Sequence, residues 1–375
     1  MKLAELRTVK DAIIVEFQDK VKALSSSVYG SGIRELTHVI FKTVDKNFNE
    51  PNPCLYAKNV IEELGLPLDS TAVLLTAVDV VKNYEIRVIE HPLPVMVLIT
   101  VGLNNLACID GKIHRYSQLT SASTINTLVV VGSYLSDNAL VDLVSVASGA
   151  KALAFVDAGL SCNLHKRAFA TVTDAVIIAS YHAGELVPYG GPATTIGSLV
   201  GKIVYEAVLT RAMKELTLNE KFKHVFGLKL EDFKRLCLKV YQYASIPNTT
   251  TSDILRIIDE ELNELLSDPN VWAIGIAFRE LEFRGASGTI PGLSKQEYAE
   301  DSLKIVVDEI LGIALSMYVN GWKGMFCYYW IEQIKNRIKE IKNLPMFSDD
   351  LVGSLIGAIL SKIYDRIGHS IKKGD

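Results

Sequence analysis

The sequence lacks two features that would mark out whole classes of protein, an excess of basic residues and an apolar run of membrane-spanning length. Its 39 lysines and arginines against 43 aspartates and glutamates give a net charge of -4, which argues against a nucleic-acid partner. The most apolar stretches, residues 94–103 and 351–363, fall short of the roughly 20 residues that cross a bilayer. We therefore expect no membrane span.

Closely spaced cysteines and the common catalytic signatures are also missing. The five cysteines contain no CxxC pair, which predicts reduced thiols in a cytoplasm rather than a disulfide framework or a zinc site. The first residues are charged and include no apolar core, which predicts no secretory signal. The GxSxG, HExxH, GxGxxG and GxxxxGK[ST] motifs are absent, so the chemistry has to come from other constellations of side chains.

The hydrophobic pattern changes near residue 216. The earlier sequence predicts strands over 13–17, 36–44, 72–76, 85–89, 95–101, 127–131 and 175–179, and helices over 55–64, 137–158 and 195–214. Several strands follow one another with short turns, which indicates a mixed sheet. The later sequence predicts helices alone, with a loop over 285–292. The chain therefore reads as an α/β domain over 1–214 and an all-α helical domain over 223–375.

Two acidic doublets stand in the most apolar helices of the second domain. Asp308-Glu309 interrupts a predicted helix over 302–319, and Asp349-Asp350 opens the last one. Buried carboxylates are costly unless they are paired or bind a metal, and magnesium takes oxygen ligands while leaving room for a phosphate. Acids that complement a helix N-terminus are an equally good explanation of the second doublet. Because the first doublet lies inside its predicted helix, the pair together favours a magnesium site.

Three segments of the second domain resemble the phosphatidylglycerophosphatase A family. They begin at Asp308, Tyr329 and Phe347 and read DEILG, YWIEQIK and FSDDLVG. The family carries an Asp-Glu-x-x-Gly helix, a Phe/Tyr-x-x-Asp-x-x-Lys-Pro segment and a final Asp-Asp helix. Here Glu332 stands in place of the Asp, and Asn336 in place of the Pro.

This resemblance implies a magnesium-dependent phosphatase. Its implied metal ligands are the four acids Asp308, Glu309, Asp349 and Asp350, and its implied catalytic residues are Glu332 and Lys335. A soluble branch of the family is implied to hydrolyse α-ribazole 5′-phosphate, whereas a lipid phosphate is the alternative substrate. Trp322, Phe326 and Trp330 could touch a membrane or stack on the ring of α-ribazole, but we expect them to pack in the core.

Small polar side chains gather at the predicted strand ends of the first domain. Asn and Thr at such positions usually cap local backbone, although so many could instead line a site for a ligand rich in amides. The segments SSS at Ser25, YGSG at Tyr29, TVGLNN at Thr100, TIN at Thr124, TDA at Thr173 and YGGPAT at Tyr189 resemble, in this order, the adenosylcobinamide amidohydrolase family. The resemblance runs from residue 24 to residue 208.

This second resemblance implies cleavage of the aminopropanol amide of adenosylcobinamide to give adenosylcobyric acid. Amide hydrolysis needs an activated water and donors for the oxyanion. We predict Asp174 and Asp79 as bases, and Asn105, Asn126 and the backbone amides near Gly190 and Gly191 as stabilisers. The predicted substrate-binding residues are Ser26, Gly30, Gly32, Asn104, Asn126, Tyr189, Gly191 and Thr194. The two implied activities belong to one pathway of cobamide salvage and assembly, although a corrinoid-binding module without hydrolysis, and a homo-oligomer, remain open.

Overall fold

The structure is a computed structural model that describes residues 2–109 and 124–372. Contacts within this part of the chain separate two compact units. The first unit comprises the chain up to Cys162 together with Arg167–Leu216, and the second comprises Asn163–Lys166 and the chain from Thr217 onward. The change in sequence pattern near residue 216 coincides with this division.

The first unit alternates strands with helices. Its strands are β1 (Glu5–Val9), β2 (Ala12–Ser25), β3 (Gly32–Thr43), β4 (Thr71–Thr76), β5 (Tyr84–Ile89), β6 (Val95–Val101), β7 (Leu106–Cys108), β8 (Ile125–Val131), β9 (Ala168–Thr171) and β10 (Ala175–Tyr181). Its helices are α1 (Pro53–Glu63), α2 (Asp137–Asp157) and α3 (Thr195–Glu215). The side chains of Asn52, Ser136 and Thr194 each accept a hydrogen bond from a backbone N–H in the first turn, so each of these helices begins at a polar cap.

Eight strands form one mixed sheet in the order β4-β3-β2-β10-β8-β6-β5, with β1 paired to β2 beside this path. The pairs β3–β4 and β8–β10 are parallel, and the other pairs are antiparallel. The register of β2 with β3 shifts between Glu16 and Val21. Such a shift bends a strand, and β2 pairs with β1 before it and with β10 after it.

The sheet curls, so that one of its faces is concave. Asn126 at the start of β8 donates from Nδ2 to the carbonyl of Leu75 near the end of β4, at 3.0 Å, although three strands separate β4 from β8 in the sheet. Apolar side chains of β2, β3, β4, β6, β8 and β10 fill the inside of the curve as one buried cluster. We call this side the concave face. Helices α1, α2 and α3 cover the opposite face.

Among the described residues, one helix, α2, is long and apolar enough to cross a membrane by length and composition. In the fold α2 packs against α3 and the outer face of the sheet, with Leu140, Leu143 and Phe155 fully buried. A core helix of a globular domain passes the same test, so this helix is weak evidence for a span.

The second unit is built from helices, and no strand is assigned between residues 217 and 372. The helices are α4 (Leu218–Phe226), α5 (Leu230–Tyr241), α6 (Thr251–Leu266), α7 (Pro269–Ser287), α8 (Lys295–Ala299), α9 (Val307–Ile334), α10 (Lys339–Lys342) and α11 (Met346–Lys372). One apolar cluster that includes Phe222, Phe278 and Phe347 joins them.

Helix α9 consists of two arms that fold back on each other. The backbone leaves the helical conformation at Asn320 and Gly321, and Gly321 has a φ of 54°, which glycine adopts without strain. A Cβ atom added at Gly312 would lie 2.6 Å from the hydroxyl of Tyr328. Because positions 312 and 328 lie equally far from residue 320, the arms are antiparallel. We call this element the α9 hairpin, with a first arm over 307–319 and a second over 322–334.

The predicted fold class is confirmed: a mixed-sheet α/β unit is followed by a helical one. Each predicted strand and helix of the first unit overlaps an observed one. The strands β1, β7 and β9 were not predicted. They have five residues or fewer, and β1 is exposed along most of its length, so none of them carries a hydrophobic alternation.

Two predicted boundaries in the second unit are wrong. The helix predicted from residue 302 begins at Val307, because residues 301–306 contain turns and irregular backbone, and Asp301 has a φ of 53°. The loop predicted from residue 285 begins after Ser287, since α7 continues through Gly285. A Cβ atom at Gly285 would lie 2.4 Å from the Tyr298 ring, so this glycine serves helix packing and not a turn.

The prediction of reduced thiols is also wrong for one pair of cysteines. Cys108 at the end of β7 forms a disulfide with Cys162, with 6.3 Å between the Cα atoms, whereas Cys54, Cys237 and Cys327 are free. The two paired cysteines are 54 residues apart in sequence. Their proximity results from the pairing of β7 with β9, which the sequence did not predict.

The close approach inside the α9 hairpin predicts the effect of one methyl group. In Gly312→Ala the new Cβ would overlap the Tyr328 hydroxyl, so we expect a loss of roughly 1–3 kcal/mol in the free energy of unfolding. Gly368→Ala in α11 is the matched control: no atom lies within 4 Å of its added Cβ, and alanine favours a helix over glycine. Urea unfolding measures both variants. Equal stability of the two would contradict the packing assigned to Tyr328.

Candidate functional site

Three carboxylates of the second unit converge. One ligand oxygen each from Asp308, Glu309 and Asp350 lies within 4.8 Å of the others. Asp308 and Asp350 are each 2% exposed, and Glu309 is the least buried of the three. We call these residues the carboxylate cluster. The two doublets predicted from sequence therefore meet in the fold, with Asp349 outside the cluster.

Both doublets lie at the beginning of a helix. Asp308 and Glu309 are in the first turn of α9, and Asp349 is in the first turn of α11. The expectation that Asp308-Glu309 lies inside its helix is thus wrong, because α9 begins at Val307. Unsatisfied backbone N–H groups and the helix dipole favour anions at such positions, and Asp308 Oδ1 accepts from the Glu309 N–H at 3.1 Å. These interactions offset part of the free-energy cost of burying the acids.

Lys335 organises a second group of acids beside the cluster. Its Nζ lies 2.6 Å from Glu332 Oε2, 3.0 Å from Asp349 Oδ2 and 3.8 Å from Asp350 Oδ1. Burial by itself would lower the pKa of Lys335, but Asp349, Asp350 and Glu332 outweigh it and leave the pKa raised. The residue is therefore a fixed cation, and Asp349 and Glu332 are its partners.

One oxygen in this group is buried without a partner. Glu332 Oε1 has no hydrogen-bond partner among the described residues, although Oε2 pairs with Lys335. A buried carboxylate oxygen left without a donor is costly. It is therefore available to a ligand, a water molecule or a cation.

Burial and mutual repulsion change the acidity of the cluster. Burial and the neighbouring Glu309 raise the pKa of Asp308 to about 8, and burial and the nearby Asp349 raise the pKa of Asp350 to about 8. For Asp349 burial outweighs the attraction of Lys335 and raises the pKa to about 6. Carboxylates so arranged need a positive charge to ionise together. Their oxygen donors suit magnesium, so the residues fit the predicted ion.

Tyr328 holds Asp350 in place. Its hydroxyl donates to Asp350 Oδ1 at 2.6 Å, and burial next to Asp350 raises the pKa of Tyr328, so it remains a donor. A Cβ atom at Gly357 would lie 2.7 Å from the Tyr328 backbone nitrogen. Because Gly312 and Gly357 have no side chain, Tyr328 can pack directly against α11 and the first arm of the α9 hairpin.

Several predicted substrate-binding residues of the first unit have structural roles. Thr194 caps α3, since its Oγ1 accepts from the Gly197 N–H at 3.0 Å and donates to the Gly191 carbonyl at 2.7 Å. A Cβ atom at Gly197 would lie 2.0 Å from that carbonyl oxygen. Tyr189 at the start of this loop is 63% exposed and remains open to a ligand.

Of the two predicted glycines between β2 and β3, Gly30 has a structural role and Gly32 remains open to a ligand. Gly30 has a φ of 78°, and an added Cβ atom would lie 2.8 Å from the Ala72 Cα, so glycine is required by packing against β4. Gly32 has a φ of 85° with open space around it. The Ser26 hydroxyl accepts from the Val176 N–H at 2.9 Å and so ties β2 to β10.

Of the two predicted bases, Asp174 is tied into the fold. It pairs with Lys151 of α2 and with the Thr171 hydroxyl, and it accepts from the Ile125 N–H at 3.0 Å. Its side chain is 11% exposed. Asp79 caps its own turn through the Val81 N–H at 3.2 Å and remains 43% exposed.

The predicted asparagines lie at the same end of the sheet. Asn126 is 1% exposed and joins β8 to β4 as described above. Asn104 and Asn105 lie in the turn before β7, where the Asn105 carbonyl accepts from the Val172 N–H at 3.1 Å. The structure thus brings Asn126 close to the strand starts near Asp174, while Tyr189 and Thr194 lie in a separate loop.

One residue at this end was missed from sequence. Thr100 is the register partner of Asn126, is fully buried, and has a hydroxyl with no partner among the residues described. Strand alternation was the available signal, because Met96 and Leu98 occupy the same face. In the sequence Thr100 reads as one more β-branched residue of an apolar strand.

Comparisons with curated proteins give the first unit its relatives. An adenosylcobinamide amidohydrolase of Halobacterium salinarum is 35% identical over 147 residues, which cover 38% of this chain and 58% of that protein. One of Methanosarcina mazei is 27% identical over 209 residues, which cover 53% of this chain and 94% of that protein. The chain thus spans less than two thirds of the length of the Halobacterium relative.

Similarity to solved structures is weak. The low temperature requirement C protein of Listeria monocytogenes is 23% identical with a TM-score of 0.31, over 40% of this chain and 92% of that one. Protein ypjQ of Bacillus subtilis is 20% identical with a TM-score of 0.33, over 43% of this chain and all of that one. Scores this low carry no argument, so the resemblance of the second unit to phosphatidylglycerophosphatase A stays a prediction.

A family model described as adenosylcobinamide amidohydrolase matches residues 1–220. It spans the whole α/β unit, including the strand starts around Asn126 and Asp174. Since the match covers more than half of the 375 residues, this chain belongs to the adenosylcobinamide amidohydrolase family.

Proposed function

We propose that the first unit hydrolyses the aminopropanol amide of adenosylcobinamide and releases adenosylcobyric acid. Family membership over residues 1–220 carries this proposal. In the reaction water adds to the amide carbon, the C–N bond breaks, and the products are a carboxylate and a protonated amine. The step requires a base for the water and donors for the oxyanion.

The geometry favours Asp79 over Asp174 as the base. Asp174 is occupied by Lys151, Thr171 and the Ile125 N–H, so its loss would disturb the strand starts before any chemistry. Asp79, just after β4, has a carboxylate that is 43% exposed, accepts from the Val81 N–H and lies 3.3 Å from Nζ of the exposed Lys82. Asn126 connects that strand to the start of β8, which places Asp79 in the same region of the sheet.

Replacing each acid by its amide separates the two roles. Asp79→Asn should lower kcat for adenosylcobinamide by about 10²-fold or more with little change in stability, because its side chain is 43% exposed and its ion pair is with an exposed lysine, Lys82. Asp174→Asn should lower the free energy of unfolding by roughly 3 kcal/mol, since Lys151 is left buried without its partner.

Mass spectrometry of the released aminopropanol measures kcat, and urea unfolding measures the free energy of unfolding. Asp69→Asn, an exposed acid, is the control and should leave both quantities unchanged. Full activity of Asp79→Asn would exclude it as the base, and absence of hydrolysis by the unmodified protein would leave a corrinoid-binding module as the better description.

We further propose that the second unit is a magnesium-dependent phosphomonoesterase. The convergence of Asp308, Glu309 and Asp350 is the observation that supports it. These three would hold magnesium, which when bound would polarise the phosphate and lower the pKa of a coordinated water. Glu332 offers its unpartnered Oε1 as the acceptor of a proton from the attacking water. Lys335 places a fixed positive charge beside Asp349 and Glu332, where it can pair with a non-bridging oxygen.

Magnesium binding should depend on pH with a defined sign. The pKa of Asp308 and that of Asp350 are raised to about 8 in the metal-free fold, so the folded chain retains protons that the unfolded chain loses near pH 4. Stability without metal should therefore fall as pH rises from about 4 to 8. Because magnesium requires deprotonated ligands, the rise in Tm that it produces should grow between pH 6 and pH 8.5.

Asp350→Asn should remove most of this magnesium effect and raise the metal-free Tm at pH 8, because one buried charge is gone. Asp365→Asn is the control on the same helix, since Asp365 pairs with Lys323 away from the cluster. Scanning calorimetry with and without magnesium chloride measures both. An equal magnesium response in the two variants would show that the ion does not bind at the cluster.

For the substrate we propose α-ribazole 5′-phosphate, because its product belongs to the same pathway as the product of the first unit. A lipid phosphate is the second candidate, and one observation favours it. Trp322 and Phe326, on the second arm of the α9 hairpin, are 66% and 62% exposed, so the expectation that they pack in the core is wrong. Trp330 does pack against the core cluster.

Phosphate release from the two substrates decides between them. We expect α-ribazole 5′-phosphate to be hydrolysed at least tenfold faster than phosphatidylglycerol phosphate in mixed micelles. Trp322→Ala should leave the faster reaction unchanged, because position 322 lies at the turn of the hairpin, ten residues from Glu332. Preference for the lipid, lost in Trp322→Ala, would favour the second candidate.

A further inference from the structure

One end of the concave face presents a layer of neutral polar side chains. In β6 the apolar Met96 and Leu98 face the inside of the curve, and in β8 Leu128 and Val130 do so. Side chains alternate along a strand, so Thr100 faces the inside as well. By the same alternation Ser25 and Thr76, the last residues of β2 and β4, belong to this layer. So do Asn126 in β8 and Thr124 just before that strand.

Two members of the layer have hydroxyls without partners. Thr100 is 0% and Thr124 is 1% exposed, and neither Oγ1 atom has a hydrogen-bond partner in the described part of the chain. The Gly102 N–H donates to the Thr124 carbonyl at 3.1 Å, which continues the ladder between β6 and β8 and puts Thr124 diagonally across from Thr100 on the same face. Leaving a buried hydroxyl unpaired costs free energy. Two buried hydroxyls without partners on the same face indicate a site where a bound group would supply the missing hydrogen bonds.

The remaining hydrogen bonds of the layer restrict the kind of group that fits. Asn126 uses Nδ2 on the Leu75 carbonyl, the Thr76 hydroxyl accepts from the Val78 N–H at 3.2 Å, and the Ser25 hydroxyl pairs with that of Ser27 at 2.7 Å. None of the five members is charged. The nearby Asp174 belongs to the opposite face, because it pairs with Lys151 of α2. The layer therefore suits a neutral group with a donor and an acceptor better than a phosphate or a carboxylate.

We propose that the hydroxyls of Thr100 and Thr124 bind a carboxamide group of the substrate. The hydroxyls can donate to the amide oxygen and accept from the amide nitrogen. The choice of a corrinoid amide as ligand rests on the function proposed for this unit. The alternative occupant of the position is an ordered water molecule.

Thr→Val substitutions test this inference because they keep the shape and remove the hydroxyl. In Thr100→Val and Thr124→Val we expect Tm to stay equal or rise, since an unpaired buried polar group is lost. The dissociation constant for cobinamide should rise roughly five- to tenfold in each. Thr71→Val is the matched control: Thr71 is equally buried, but its hydroxyl donates to the Pro67 carbonyl at 2.6 Å, so Tm should fall while the dissociation constant stays the same.

Equilibrium dialysis with dicyanocobinamide, read by visible absorbance, measures binding separately from hydrolysis of adenosylcobinamide. Unchanged affinity in both valine variants of a hydrolytically active protein would overturn this inference and leave the proposed activity intact. A fall in Tm together with unchanged affinity would assign the hydroxyls to a structural water. If the unmodified protein binds cobinamide without hydrolysis, the proposed activity fails and the valine variants still decide the inference. If the unmodified protein neither binds cobinamide nor hydrolyses adenosylcobinamide, both the inference and the proposed activity are overturned.

Discussion

The packing of Tyr328 is the contact on which the helical unit depends. Glycines at 312 and 357 leave room for its ring and backbone between the first arm of the α9 hairpin and α11. With the tyrosine in this position, its hydroxyl donates to Asp350 near the start of α11. The same contact that closes the hairpin thus sets the position of a carboxylate. A methyl group at either glycine would move both.

Close packing explains how carboxylates can be buried in this unit at all. Two helices begin side by side, and their first turns supply N–H groups and favourable dipoles. Lys335, which follows the second arm, brings one positive charge to Glu332, Asp349 and Asp350, so these acids together with Asp308 and Glu309 would carry an excess of negative charge if all were ionised. A divalent cation would neutralise that excess. The arrangement resembles a metal centre because Asp308, Glu309 and Asp350 converge and outnumber the positive charge beside them.

The α/β unit presents a different kind of polar interior. Its buried acid Asp174 is paired with Lys151 of α2 and accepts a hydrogen bond from the first residue of β8. The layer of side chains at the end of the concave face, by contrast, is neutral. Small hydroxyl and amide groups suit a ligand whose recognition rests on many amides rather than on charge. The two units therefore bury different kinds of polar group. The helical unit concentrates carboxylates, and the α/β unit buries neutral hydroxyl and amide groups.

The sequence by itself determined the fold class, seven of the eight strands of the central sheet and the acidic doublets, because each depends on local periodicity or on residue types. Asp308-Glu309 and Asp349-Asp350 could be singled out from apolar surroundings alone. What the doublets touch was decided by the α9 hairpin, since only the fold back at Gly321 brings Glu332 and Lys335 to Asp349. The roles of Asp174 and Thr194 were likewise decided by the fold, which gave one a lysine from α2 and the other a helix to cap. The hydroxyls of Thr100 and Thr124 could not be recognised in the sequence, because whether a buried polar group has a partner depends on the neighbours that the curled sheet brings to it.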